Sequence, residues 1–230
     1  MKVKEYFGLL SVAGVDEHTP LVRLQKLMEH PQIEVGFLLN RVSGGIVTHC
    51  PDVDWIARVA KELRGNKVLH ICGQDAAWET LIGNLDDVVK PFQRVQINGV
   101  VNNVRGIEKL AGRWSDKTVI TTHTRGAEFL VDGVNAHNHA VLVNDSAGRG
   151  LTPKRWQAPQ TPKRTGFAGG IGRENIQAEM LRILCEAQPK KNSWLAIESG
   201  AQSGGGQFSM DATEAMYQDF CEMGERDVEI

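Results

Sequence analysis

The residues able to do chemistry in this sequence stand at the ends of short apolar runs. Ser11 follows Leu9-Leu10, Asn40-Arg41 follow Phe37-Leu38-Leu39, and Cys72 follows His70-Ile71. Gln96 and Asn98 close a fourth run, His123 a fifth, Asn144-Asp145 a sixth and Glu198-Ser199-Gly200 the last. Asp145, Glu198, His123 and Cys72 are types that give or take protons near neutral pH once their surroundings tune them. Gly169-Gly170 and Ser199-Gly200 offer something different. Backbone without bulky side chains lets N–H groups approach an anion, and a helix N-terminus beyond Gly200 would add positive dipole. The competing reading of these glycines is tight turns. Arg41 and Arg149 are placed to meet an anionic ligand, and Glu198 is unfavourable beside a phosphate unless it points away or meets one of them. The histidines of His137-Asn138-His139 stand two apart where a run begins, away from the other chemistry, so no metal is expected.

These residues need a scaffold that gathers strand ends. Eight apolar runs recur: Tyr6–Val12, Ile33–Leu39, Lys67–Cys72, Arg94–Asn98, Thr118–Thr122, Ala140–Asn144, Gly166–Ile171 and Trp194–Ser199. They are continuous rather than alternating, as strands covered on both faces are. Amphipathic helix patterns lie between them. Thr19-Pro20 reads as cap and first helical residue, and Asp52, Asp75 and Asn103 read as further starts. Trp78 and Ile82 fall on the apolar stripe expected after Asp75. Gly126–Val134 is a short candidate, Ile176–Ala187 a longer one, and Asp211 with Glu214 has capping-box spacing. Eight strand–helix units in one chain of 230 residues predict an α/β TIM (βα)8 barrel, a single domain over 1–230. A doubly wound sheet also alternates, but no Gly-x-Gly-x-x-Gly follows the first strand. Leu151–Arg164, with three prolines and four basic residues, is expected to be a long loop and short helix between strands six and seven.

Composition removes other classes. Lys and Arg total 26 against 28 Asp and Glu, a net charge of −2. That balance lacks the cationic excess of non-specific nucleic-acid binding. The basic loop Lys154, Arg155, Lys163 and Arg164 has only Trp156 to stack on a base, so no nucleic-acid partner is expected. No apolar stretch suits a secretory signal or a membrane span. Cys50, Cys72, Cys185 and Cys221 form no Cys-x-x-Cys and read as reduced, mostly buried thiols of a cytoplasmic protein. Gly204-Gly205-Gly206 reads as a loop.

Several motifs resemble phosphoribosylanthranilate isomerase, a barrel enzyme of tryptophan biosynthesis. Val95-Gln96-Ile97-Asn98-Gly99 is similar to the family's V-Q-L-H-G. Phe167-Ala168-Gly169-Gly170-Ile171 with Asn175 is similar to L-A-G-G-L followed by N. Asn144-Asp145, then Gly148-Arg149-Gly150 and Lys154-Arg155-Trp156, resemble its strand-six aspartate, G-G-[ST]-G and F-D-W. Glu198-Ser199-Gly200-Ala201-Gln202 resembles S-[SG]-[AV]-E, and Gly36-Phe37-Leu38-Leu39 resembles G-F-x-F.

The resemblance implies an Amadori rearrangement of a phosphorylated sugar, without a cofactor. An acid opens the ribose ring, and a base removes the C2 proton. It assigns the phosphate to Gly169, Gly170, Ser199 and Gly200, and the acid to Asp145. The remaining substrate contacts fall to Arg41, Gln96, Asn98, Arg149 and Glu198. The family base is a cysteine in K-I-C-G on strand one, and its position is read as Ser11. A serine hydroxyl holds its proton far more tightly than a thiol and needs an adjacent base. Asn98 replaces a histidine and Gln202 a glutamate. Glu198, His123 and Cys72 are candidates for a replacement group. A divergent relative with other chemistry, or a sugar-phosphate-binding barrel without catalysis, is the alternative.

Overall fold

The computed structural model describes residues 2–40, 50–98, 103–123, 128–143, 150–204 and 206–228. The eight strands are β1 (Phe7–Ala13), β2 (Ile33–Asn40), β3 (Asn66–Cys72), β4 (Arg94–Asn98), β5 (Thr118–His123), β6 (His139–Val143), β7 (Thr165–Ala168) and β8 (Ser193–Ile197). All neighbours pair in parallel, and β8 returns to β1, closing the barrel. The helices are α1 (Leu21–Leu27), α2 (Val53–Glu62), α3 (Gln74–Ile82), α4 (Asp86–Val89), α5 (Val104–Arg113), α6 (Glu128–Gly133), α7 (Ile176–Ala187) and α8 (Met210–Gly224).

Strand alternation sorts the side chains into two sets. Leu10, Val12, Val35, Phe37, Leu69, Ile71, Val95, Ile97, Phe167, Leu195 and Ile197 join the helices in the larger core. Leu9, Val68, Ile120, Ala140, Leu142, Ala168, Trp194 and Ala196 form a separate cluster inside the barrel. Both strand faces are thus buried, which explains the continuous apolar runs. The inward set also carries polar residues: Ser11, Glu34, His70, Arg94 and Gln96 are all buried. At the N-terminal end, Arg94 Nη1 meets Glu34 Oε1 at 3.0 Å, and the Arg94 guanidinium lies 4.2 Å from the Trp194 ring centroid. Gly166 leaves room for that indole, because a Cβ there would run into its ring.

Several helix starts differ from expectation. Asp52 and Asn103 cap α2 and α5 as the sequence indicates, accepting from Asp54 N and Gly106 N. Thr19 does not cap α1; its hydroxyl bonds Asp16 at 3.0 Å, and Pro20 takes the cap position. The N-cap of α3 is Gly73, with Asp75 in the first turn. Ser209 caps α8, while Asp211 and Glu214 instead bind Arg23. Trp78 and Ile82 do not reach the core; they are 61% and 52% exposed on α3.

The strand–helix pattern also breaks twice among the described residues. Two helices follow β3, and residues 150–164, between β6 and β7, contain none. Pro153, Pro159 and Pro162 cannot supply the backbone donors of a helix interior. Trp156 fills the gap with a fully buried side chain, its Nε1 donating to Glu179 Oε2 at 2.7 Å. Arg182 and Glu186 clamp the same segment through Pro153 O, Lys154 O and Trp156 N. Two of the four basic residues are also tied down. Lys163 Nζ binds Val131 O and Val134 O, and Arg164 Nε binds Asn192 O. The one aromatic available for stacking is therefore inside the fold. The four cysteines are free, but none is fully buried, and Cys185 is exposed.

Candidate active site

Among the described residues, the C-terminal strand ends carry Cys72, Asn98, Glu198, Ser199 and the β7–β8 glycines. Strand β1 delivers less than its sequence promised. Ser11 is buried and pairs in register with Glu34 and Ala196, one layer below the rim. The last inward residue of β1 is Ala13, followed by Gly14. In a motif ending Cys-Gly, the thiol position therefore corresponds to Ala13, not Ser11, and a methyl group cannot move protons. Asp16, just beyond, is structural: it accepts from His18 N, Thr19 Oγ1 and Phe208 N. Those bonds tie the loop after β1 to the segment before α8.

Across the mouth, β3, β4 and β5 present a connected polar set. Gln96 Nε2 donates to Asn98 Oδ1 at 2.9 Å, and Thr122 Oγ1 donates to the same oxygen at 2.7 Å. Asn98 Nδ2 donates to Cys72 Sγ at 3.5 Å. Two donors on Oδ1 fix which edge of the amide faces the thiol. Burial pushes the Cys72 thiol up to about 12, with Asn98 pulling down and the Glu198 carboxylate and Cys50 pushing up. Glu198 keeps solvent access at the rim, yet the protein around its carboxyl raises its pKa. Cys50 is raised by burial and then by Glu198. One layer down, burial and then Arg94 hold His70 neutral, with a pKa of about 3.

The β7 and β8 turns are packed against one another. Gly172 and Gly200 form a parallel bridge. Asn175 accepts from Gly172 N at 2.8 Å and donates to Gly170 O at 2.9 Å. Gly170 has φ +58, and a Cβ there would strike the backbone of Leu151 and Thr152. Gly200 is pressed against Ile171 O and Gly172. These glycines thus serve close packing as well as leaving bare backbone at the mouth. No helix lies between Gly200 and Ser209 among the described residues. Gln202 bridges Phe208, and Gly206 N binds Ser203 O. The dipole expected from a short helix after β8 is missing there.

Other candidates are placed elsewhere. His123 alternates outward from Thr122 and pairs with Val143, a member of the outer core. His139 starts β6 at the far end of the barrel, with Nε2 2.8 Å from Thr121 Oγ1, and Asn138 donates to three carbonyls. Arg41, Asp145 and Arg149 lie outside the described residues. Sequence reasoning passed over Thr122, although alternation from the apolar Ile120 places it inward.

The fold and mouth define the class: a closed parallel (βα)8-type barrel with a polar C-terminal opening. Among solved structures this chain is similar to the phosphoribosylanthranilate isomerase of Thermus thermophilus. The TM-score is 0.67 at 19% identity, over 94% of this chain and 99% of that one. A phosphoribosylanthranilate isomerase in complex with reduced 1-(o-carboxyphenylamino)-1-deoxyribulose 5-phosphate matches at 0.62 and 14% identity, over 93% and 98%. A mutant tryptophan synthase α-subunit from Pyrococcus furiosus matches at 0.56 and 12%, over 98% of both. At these identities the likeness establishes the fold. No family model and no curated protein matches the sequence. No helix among the described residues is long and apolar enough to cross a membrane.

Proposed function

We propose that this protein is a divergent member of the phosphoribosylanthranilate isomerase family. It binds a phosphorylated sugar at the barrel mouth and converts an aldose to a ketose by acid–base catalysis, in the cytoplasm. One observation carries the reading. The two motifs most like the family's, Phe167–Ile171 with Asn175 and Glu198–Gln202, meet in space through the Gly172–Gly200 bridge. In this reading the backbone of Gly169, Gly170, Ser199 and Gly200 holds the phosphate. Gln96, Asn98, Arg41 and Arg149 hold the rest of the substrate, and Asp145 is the acid. The base is not Ser11, which lies too deep, but Glu198, a carboxyl on the mouth with a raised pKa.

The test is turnover of phosphoribosylanthranilate, followed by loss of its anthranilate-type fluorescence, with thermal protection by the same compound. Gly170 is a poor site for a variant, since any side chain there disturbs the fold. Ser199→Asp adds a carboxylate to the turn at an exposed position. It should abolish protection by millimolar inorganic phosphate while leaving the melting temperature without ligand nearly unchanged. Absence of both turnover and protection in the wild-type protein sinks the reading.

A further inference from the structure

We propose that Thr122 and Gln96 are positioning residues that hold Asn98 as a fixed, neutral hydrogen-bond donor for the end of the substrate remote from its phosphate. This rests on the isomerase-like reading above and deepens it. It gives Thr122 a role, and it separates the side chain that touches the ligand from those that aim it.

Alternation turns the whole set inward. Val95 and Ile97 belong to the outer core, so Gln96 and Asn98 face the barrel interior. Ile120 belongs to the inner cluster, so Thr122 faces inward too. Cys72 is the partner of Asn98 in the β3–β4 register. An amide offers one acceptor oxygen and two N–H donors. The oxygen of Asn98 is taken by two donors, Gln96 Nε2 at 2.9 Å and Thr122 Oγ1 at 2.7 Å. One N–H is taken by Cys72 Sγ at 3.5 Å. Reversing Asn98 would set its Nδ2 against Gln96 Nε2, donor to donor. The second N–H has no acceptor among the described residues, and Asn98 is only half-buried, so that N–H is left for a ligand. Gln96 is buried and acts through Asn98.

The network is complete before a ligand arrives, so no ordering of this amide is charged to binding. No charged side chain takes part in it. The donor therefore suits a neutral oxygen (a hydroxyl, ring oxygen or carbonyl) rather than an anion. Its place agrees with this. In the closed ring of eight strands, β4 stands opposite β8. A sugar phosphate anchored on the β7–β8 turns extends its other end across the mouth toward Asn98, and phosphate alone does not span that gap.

The test uses the whole protein carrying 15N-labelled asparagine. Its probes are reduced 1-(o-carboxyphenylamino)-1-deoxyribulose 5-phosphate and inorganic phosphate. Asn98→Asp keeps an oxygen for Gln96 and Thr122 but has no side-chain N–H, so it identifies the Asn98 signal by its loss. In the wild-type protein that NH2 group should be as rigid as backbone, with an order parameter of about 0.85. Thr122→Val should lower it below about 0.6, and Thr122→Ser should restore it. By calorimetry, Thr122→Val should weaken the sugar-phosphate analogue roughly fivefold and Asn98→Asp about tenfold or more, with Thr122→Ser near wild type. Inorganic phosphate should bind wild type and both Thr122 variants alike. A merely structural role for Thr122 would lower both affinities together. That result, or an unchanged order parameter in Thr122→Val, overturns the inference. If the analogue binds Thr122→Val and Asn98→Asp as tightly as wild type, the donor role fails and the isomerase-like reading stands. If the wild-type protein binds neither probe and shows no turnover, that reading fails, and the positioning of Asn98 is decided by the order parameter alone.

Discussion

At the N-terminal end of the barrel, Glu34 and Arg94 face each other 3.0 Å apart, both buried, beneath the Trp194 indole. At the C-terminal end, neighbouring strands carry Cys72, Asn98 and Thr122, joined by hydrogen bonds without a formal charge among them. The two ends use the same inward positions differently. The floor holds opposite charges where water is excluded. Glu34 Oε2 and Arg94 Nε and Nη2 still lack partners there, so the pair is costly to keep and more costly to halve. The mouth holds neutral groups in a fixed orientation. Stability should therefore be concentrated at the floor and chemistry at the mouth.

The largest effect that could break this contrast is at the floor. Arg94→Ala should cost about 3–5 kcal/mol, because it strands the Glu34 carboxylate and removes the guanidinium stacked on the Trp194 ring. Replacing both partners, Glu34→Leu with Arg94→Met, should recover most of that loss. Denaturant unfolding at pH 7 measures both, and a loss under about 1 kcal/mol for Arg94→Ala would refute the contrast.

A smaller effect comes from the layer between. His70 has a folded pKa of about 3 against an ordinary value of 6.5. Above pH 6.5 it is neutral in both states and its site is unharmed. Below that, the unfolded chain takes up a proton that the folded chain refuses. Stability should fall with decreasing pH from about 6.5 toward 3, with a slope of up to ~1.4 kcal/mol per pH unit from this residue. His139, with a folded pKa of about 4, has the same sign. Unfolding curves at pH 7, 6 and 5 read the slope, and His70→Gln should reduce it. The smallest expected change in stability is at the mouth. Glu198→Gln should alter unfolding by no more than ~0.5 kcal/mol, since the side chain keeps contact with solvent. A large loss on thermal or denaturant unfolding would make Glu198 a structural group.

Much of the barrel was legible because burial on both strand faces leaves continuous apolar runs. Arg94–Asn98 matches its strand end for end, and the others shift by a few residues. What proved hard was anything set by contacts distant in sequence. Thr19 looked like a cap until Asp16 took its hydroxyl. Asp211 and Glu214 looked like a capping box until Arg23 drew them to α1. The proline-rich segment looked able to hold a short helix, and a buried Trp156 with its Glu179 partner replaced it. The site divided the same way. Glycines at Gly169, Gly170 and Gly200 marked the β7–β8 turns correctly. On β1 the inward positions are Ser11 and, one layer nearer the rim, Ala13.

The sequence by itself determined the order of eight strands and the end of the barrel where polar groups collect. Periodicity and local turn chemistry are written along the chain, and parallel strands joined by crossovers must all point the same way. Only the tertiary structure decided that Ala13 rather than Ser11 reaches the rim. It also decided that Thr122 and Gln96 orient Asn98 toward Cys72. Those facts depend on strand register and on which side chains meet across the barrel. A one-residue change in register turns a side chain from one face to the other, and a two-residue change moves it one layer in depth. No local pattern records either.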